Sequence, residues 1–414
     1  MSSQFNIASY GKDSYILVEG RHTAECFFII QQGNVRVFKE VAIEGEGSEV
    51  LAPGDFFGVV SAMSSHRHIE TVQALTDVVL ITVRPQQYVT LIQNNIPVAI
   101  KILMQFSEQL RFLDKTLMGL TRKENSDANI VEGPPHLFAV GEYYFRQKQY
   151  NHAFYAYTKY LQYCPQGRNI ETATRRLREL EGRAVNTALK HGKGDLNRSY
   201  NRDEMLFAEG ELGDEFFVIQ RGSVRISKII DNNEVLLGVL KAGDIFGEMA
   251  LLDGKPRAAS ALANEECAVM AINKANFELM IKNQPQLISR VTTLLADRIW
   301  LMFKQVENAQ IANPLGRMYD ALLVQLEKSR VSLDSKSPHT FTFTWKEFVS
   351  MQGLSEKEGN VRMDELLKDK NVQLQGDGKI YVSSVAEIAK QTDFYRRMDK
   401  TRKSQAEKKT TPIF

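Results

Sequence analysis

Glu248 and Arg257 stand nine residues apart in the stretch Phe246-Gly-Glu-Met-Ala-Leu-Leu-Asp-Gly-Lys-Pro-Arg-Ala-Ala-Ser260. A strand is predicted to end at Phe246, Gly247 turns the chain, and Glu248 to Leu252 favour a helix whose first turn includes Met249 and Ala250. Free backbone N–H groups at such a helix start favour an anion. Arg257, on the next loop with Ala258 and Ala259, can add a forked, charge-assisted contact to a phosphate. Glu248 is unsuited to face that phosphate, but its carboxylate can accept a hydrogen bond from a ribose hydroxyl. A sugar-phosphate uses all of these features at once.

The elements that must position them are repeated in the chain. Glu19-Gly-Arg-His-Thr-Ala-Glu-Cys-Phe-Phe-Ile-Ile-Gln-Gln-Gly33 recurs, one residue shorter, as Glu209-Gly-Glu-Leu-Gly-Asp-Glu-Phe-Phe-Val-Ile-Gln-Arg-Gly222. Both copies continue into an apolar run, Val35 to Phe38 and Val224 to Ile226. A second glycine cluster follows, with Gly54 and Gly243, and Gly58 and Gly247, each 189 residues apart. Short β-branched and aromatic stretches between Gly, Asp and Asn turns predict a β-roll in each copy.

The stretch 246–260 resembles the phosphate-binding cassette of cyclic-nucleotide-binding domains, such as those of the regulatory subunits of cyclic-AMP-dependent protein kinase. The shared features are Phe-Gly-Glu-x-Ala-Leu and Pro-Arg-Ala-Ala-Ser. The resemblance implies a ligand site of Phe246, Gly247, Glu248, Met249, Ala250, Arg257, Ala258, Ala259 and Ser260. Glu248 would meet the ribose 2′-hydroxyl and Arg257 the cyclic phosphate, with the Gly247 and Ala258 amides completing the phosphate shell. In that family a Thr after the Arg favours cyclic GMP, so Ala258 implies cyclic AMP, with no metal.

In the first copy, Val59, His68 and Thr71 stand where the second has Glu248, Arg257 and Ser260. The carboxylate and the fork are both gone, and Arg67 beside His66 and His68 does not replace them. This copy is expected to be degenerate, a structural or interaction domain; another anion, such as a cyclic dinucleotide, is the alternative there.

Between the copies, Gly141, Tyr144, Ala153, Tyr157 and Pro165 fall at positions 8, 11, 20, 24 and 32 counted from Pro134, the spacing of a tetratricopeptide repeat. Tyr160 departs from the small residue usual at position 27. One repeat with an amphipathic helix at 169–182 is expected to dock the two rolls together, and a protein partner in this region is the other option.

After Pro285, the residues Ile288, Val291, Leu295, Arg298, Met302 and Val306 line one helical stripe, which predicts pairing with a second copy of the chain. The passage is similar to the dimer helix and hinge of the Crp/Fnr superfamily. At the positions of its two adenine-contacting hydroxyl residues this chain has Met302 and Phe303, so the base is expected to be held differently, by stacking or by a nearby threonine. Two capping boxes follow, Thr344 with Glu347 and Ser355 with Glu358, with Gly353 between them, and then a hairpin over 372–382. That order matches a winged helix. DNA contacts would come from Lys357, Asn360, Arg362 and Lys379. Residues 340–390 carry seven Lys/Arg against eight Asp/Glu, while 394–414 carry seven against two, so the tail is the basic segment.

Lys+Arg 52 against Asp+Glu 50 leaves no global field for nucleic acid or membrane, so such binding must be local. Cys26, Cys164 and Cys267 lie far apart with no CxxC, against a disulfide framework or a zinc site. No signal peptide or membrane-spanning run is evident, so a cytoplasmic protein is expected. An enzyme is not expected, since no nucleophile–base pair, metal cluster or nucleoside-triphosphate loop is evident.

The expected fold is α+β multidomain: two cyclic-nucleotide-binding β-rolls joined by a tetratricopeptide-like helical pair, then a long dimer helix and a C-terminal winged helix. The boundaries are 1–122, 134–182, 183–310, 311–390 and a basic tail at 391–414. The function implied is a dimeric, cyclic-AMP-responsive transcription regulator of the Crp/Fnr type. The alternatives are a signalling adaptor that works through protein partners without DNA, or a sensor of another nucleotide.

Overall fold

Each copy's alternating apolar stretches form eight strands in the computed structural model, which describes residues 5–21, 24–39, 48–121, 133–185, 187, 190–192, 194–230, 233–352, 354 and 356–410. The first roll comprises β1 (Asn6–Tyr10), β2 (Tyr15–Leu17), β3 (Phe27–Gln32), β4 (Val35–Phe38), β5 (Glu49–Leu51), β6 (Phe56–Phe57), β7 (Thr71–Ala74) and β8 (Val78–Val83). Its two antiparallel sheets run β1-β8-β3-β6 and β2-β7-β4-β5. The second roll repeats this with β9 (Asn197–Tyr200), β10 (Met205–Phe207), β11 (Glu215–Arg221), β12 (Ser223–Ile230), β13 (Asn233–Lys241), β14 (Ile245–Phe246), β15 (Ser260–Ala263) and β16 (Cys267–Asn273). Its sheets run β9-β16-β11-β14 and β10-β15-β12-β13.

Register follows the repeat. Val35 pairs with Ala74 as Val224 pairs with Ala263, and Phe28 with Phe57 as Phe217 with Phe246. Gly58 and Gly247 adopt the same left-handed backbone, φ 77° and ψ 3°, which glycine takes at little cost. A short helix follows each, α1 (Val59–Ser64) in the first copy. The first roll ends in α2 (Tyr88–Asn94) and the long α3 (Ile96–Thr121). The connecting helices are α4 (His136–Arg146), α5 (Tyr150–Tyr163) and α6 (Ile170–Leu180). The second roll contributes α7 (Glu248–Asp253), α8 (Lys274–Asn283) and the long α9 (Pro285–Ala309).

The stripe predicted to meet a second chain is already covered. Ile288, Val291, Leu295 and Val306 on α9 are buried with Ala99, Ile102, Leu103, Phe106 and Leu110 of α3 in one apolar cluster. The long helices of the two copies therefore pair inside one polypeptide. Each also packs on the other copy's cassette helix, α9 on α1 and α3 on α7. This corrects the expected dimer seam. The sequence signal for an apolar partner was real, but the partner is α3, nearly two hundred residues upstream.

The helices α4 and α5 form an antiparallel pair in which Gly141 lies under the Tyr157 ring, where a Cβ would approach to 2.6 Å. Their core continues into the second roll through Met205, Ala208 and Leu262.

The C-terminal unit begins with α10 (Pro314–Lys328), capped by the Asn313 side chain accepting from Leu315 and Gly316 N–H. Then come β17 (His339–Thr344), α11 (Trp345–Met351), α12 (Glu356–Leu366), β18 (Val372–Leu374) and β19 (Lys379–Val382), with strand order β17-β19-β18. Thr344 and Glu347 make the first capping box reciprocally. Gly353 and Ser355 lie outside the described residues, as do 411–414.

The segment from 391 onward differs from the expected separate tail. It continues α13 (Val385–Thr410), whose Arg396 forks onto the fully buried Asp320 of α10 at 2.9 and 2.6 Å. Tyr395 stacks on Tyr319, their ring centroids 5.9 Å apart. Basic composition masked an inner face carrying Ile388, Thr392, Tyr395 and Arg396. Among the described residues, no helix is long and apolar enough to cross a membrane.

Candidate functional site

The turn at Gly247 and the loop before β15 bring the cassette residues to one cavity of about 560 Å³, within the usual ~300–1,000 Å³ of small-molecule sites. Phe246, Gly247, Glu248, Met249, Ala250, Arg257, Ala258 and Ala259 all line it. Ser260 does not; its hydroxyl lies behind the wall, accepting from the Glu209 N–H at 2.9 Å. Thr71 does the same for Glu19 in the first copy, so this hydroxyl fastens the roll.

Arg257 is buried, 6% exposed. Its guanidinium lies 4.2 Å from the Phe207 ring centroid and 5.7 Å from that of Phe217. Nη1 donates to the Gly247 carbonyl at 2.5 Å, while Nε is buried without an acceptor. Burial pushes its pKa down, with Glu211 the largest opposing influence. Glu248 is 2% exposed: Oε1 accepts from Arg298 of α9 at 3.1 Å, and Oε2 is buried without a donor. An unsatisfied cationic donor and an unsatisfied carboxylate oxygen thus share one cavity, the complement of an anion bearing a hydroxyl.

The connecting helices hold this loop in place. Glu211 accepts from the Tyr155 hydroxyl at 3.0 Å and pairs with Lys159 at 3.0 Å. Its backbone carbonyl accepts from the Arg257 N–H at 2.8 Å. Burial keeps the Tyr155 phenol protonated well above its ordinary range, so this contact persists at any ordinary pH. The face of α5 that carries Tyr155 and Lys159 is therefore occupied by the second roll.

The first copy fills the equivalent place with its own carboxylate. The Gly58 N–H, counterpart of Gly247, donates to Glu70 Oε1 at 2.6 Å. The residue matching Glu70 in the second copy is Ala259, which leaves room. Val59, in place of Glu248, is 3% exposed and packs in the α3–α9 cluster.

Several cavity residues were not anticipated. Arg298, read as part of the dimer stripe, turns to Glu248; an Arg in the middle of an apolar stripe was the available signal. Leu294, Asp297, Trp300 and Leu301 of α9 join it, with His66 from the first roll, Lys328 from the end of α10 and Arg330 from the turn after it. Met302 and Phe303, which stand where the resembled family has its adenine-contacting hydroxyls, do not line the cavity; Phe303 is fully buried in the α3–α9 core.

The residues predicted to read DNA lie apart from this cavity. Lys357 and Asn360 are exposed on α12. Arg362 is tied to Glu365 at 3.1 Å and Lys379 to Asp377 at 2.7 Å.

Comparison with known proteins agrees with the repeat. The cyclic nucleotide-binding domain family matches residues 7–95 and 197–284. The cyclic AMP receptor protein of Thermus thermophilus is 27% identical over 190 residues, 46% of this chain and 84% of the relative. The cAMP-activated global transcriptional regulator CRP of Salmonella typhimurium is 27% identical over 185 residues, 44% of this chain and 87% of the relative. A cAMP-dependent protein kinase regulatory subunit of Mycosarcoma maydis is 44% identical over 66 residues, 16% of this chain and 13% of the relative. The chain thus carries two cyclic nucleotide-binding domains in tandem and is similar, over less than half of its length, to regulators of the Crp/Fnr kind.

Proposed function

We propose that this chain is a cytoplasmic, cyclic-AMP-responsive transcription regulator that binds one nucleotide, in its second roll, and is not an enzyme. The observation that carries the reading is that Arg257 and Glu248 line one cavity and that each has a buried polar atom, Nε and Oε2, without a partner. Arg257 takes the cyclic phosphate and Glu248 the ribose 2′-hydroxyl. Ala258 leaves no side-chain hydroxyl beside Arg257 for guanine, which favours cyclic AMP. In the first roll, Glu70 already occupies the glycine amide, which supports a vacant structural copy. The helices α4 to α6 are a tetratricopeptide-like spacer, and α10 to α13 with β17 to β19 are a winged-helix domain that reads DNA through Lys357 and Asn360.

A second reading has a specific observation in its favour. Two of the four expected DNA contacts, Arg362 and Lys379, are held by neighbouring carboxylates, as an adaptor that binds protein in place of DNA would tolerate. Selection of bound genomic fragments with cyclic AMP present separates the two, because the adaptor enriches no sequence.

Titration calorimetry tests the ligand. One cyclic AMP per chain is expected, and Arg257→Ala weakens binding at least tenfold, since a charge-assisted hydrogen bond contributes about 1.5–3 kcal/mol. Two sites per chain, or unchanged affinity in the variant, overturns the assignment.

A further inference from the structure

Of the described residues lining the cavity, His66 alone comes from the first roll. It is 9% exposed, and its ring lies flat on Trp300, with centroids 3.8 Å apart and planes at 14°. Its Nε2 is 3.6 Å from Oδ1 of Asp297, whose side chain is 46% exposed. Trp300 and Asp297 are both on α9 and both line the cavity. Arg257 and Glu248 account for a phosphate and a ribose, so the α9 wall is left for the base.

Resting on the nucleotide reading above, we infer that the first roll supplies part of the base-reading wall of the second roll's site. His66 lies against the base and sets Asp297, whose carboxylate accepts from the exocyclic amino group of adenine. An ionised carboxylate only accepts hydrogen bonds, so it distinguishes a base by the donor it offers. His66 is a positioning residue in this scheme and Asp297 the selecting group. The degenerate cassette loop thereby keeps a task in ligand recognition.

The test compares cyclic AMP with purine riboside 3′,5′-cyclic monophosphate, which lacks the amino group, on the full chain by calorimetry. The wild-type chain prefers cyclic AMP at least tenfold, the range of one hydrogen bond to a charged group. His66→Phe keeps a ring on Trp300 but has no nitrogen near Asp297, and it should shrink that preference below threefold while the analogue still binds. Asp297→Ala, which removes the acceptor, should shrink it likewise. Arg257→Ala, in contrast, should weaken both ligands by the same factor. Wild-type discrimination retained in His66→Phe overturns the inference even though the chain binds nucleotide. Failure of the wild-type chain to bind either ligand removes the nucleotide reading and this inference with it.

Discussion

Arg111 of α3 grips Asp253, the last residue of the cassette helix α7, with two nitrogens at once. Nη2 meets Oδ1 at 2.9 Å, Nε meets the other carboxylate oxygen, and Nη1 donates to the Pro256 carbonyl at 3.0 Å. The Asp253 side chain is 3% exposed and is covered by this arginine. The helix that opens with Glu248 is thus clamped at its far end by the first copy.

Removing the clamp should be costly. Arg111→Ala leaves a buried carboxylate with its ion pair broken, a loss of about 3–5 kcal/mol. The urea midpoint is expected to fall accordingly, with cyclic AMP affinity falling alongside. An unaltered midpoint would show that the pair is not coupled to the fold.

Pairing of α3 with α9 in one chain predicts how a disruptive substitution behaves. Val291 is 2% exposed, and lysine there buries a charge without a partner. Val291→Lys should lower the melting temperature by the same amount at chain concentrations a hundredfold apart. A seam between two chains would instead melt in a concentration-dependent way. Dependence on concentration in the wild-type chain would contradict the assignment of α3 as the partner.

The end of the chain divides into a structural and a dispensable part. Truncation after Thr392 removes Arg396 from the fully buried Asp320 and Tyr395 from Tyr319. It should destabilise the C-terminal unit by about 3–5 kcal/mol. Truncation after Arg402 retains both contacts and should leave the thermal transition in place. Equal transitions for the two truncations would refute the role given to Arg396.

Acidification should loosen the connecting helices first through His152. This side chain is 6% exposed, with Nε2 2.6 Å from the Asp203 carbonyl, and burial holds its pKa below the ordinary histidine value. The folded state therefore favours the neutral ring. Its contribution is complete above the unfolded value of about 6.5 and is lost as pH falls from there toward the folded value. Stability measured between pH 7 and 5 should decline, and His152→Gln should decline less. Parallel profiles would exclude His152 as the source.

Much of this architecture was legible because its signals are local. The common offset of 189 residues fixed two rolls, and it also set Glu70 opposite Ala259, a contrast in charge whose meaning emerged only with the Gly58 hydrogen bond. Gly141 and Tyr157 announced a close helical approach by their spacing alone. The partner of α9 was not legible, since an apolar stripe states that a partner exists and not which chain supplies it. Arg396 was hidden for a related reason: in a run of cations, nothing local marks the one that reaches a buried carboxylate. His66 joined the cavity through tertiary packing across domains, which no motif within 246–260 encodes.

Fusion of the two rolls sets each half free to change. Where identical chains pair, every substitution is present on both sides, so a group that improves the sensing half must also be tolerated by its mate. Here Val59 and Glu70 stand in one half while Glu248 and Ala259 stand in the other. The halves have diverged at positions around each cassette glycine. Their association also survives dilution, because a tethered mate stays at an effective concentration of order millimolar however scarce the protein becomes. The pairing of α3 with α9 is thereby uncoupled from the abundance of the chain.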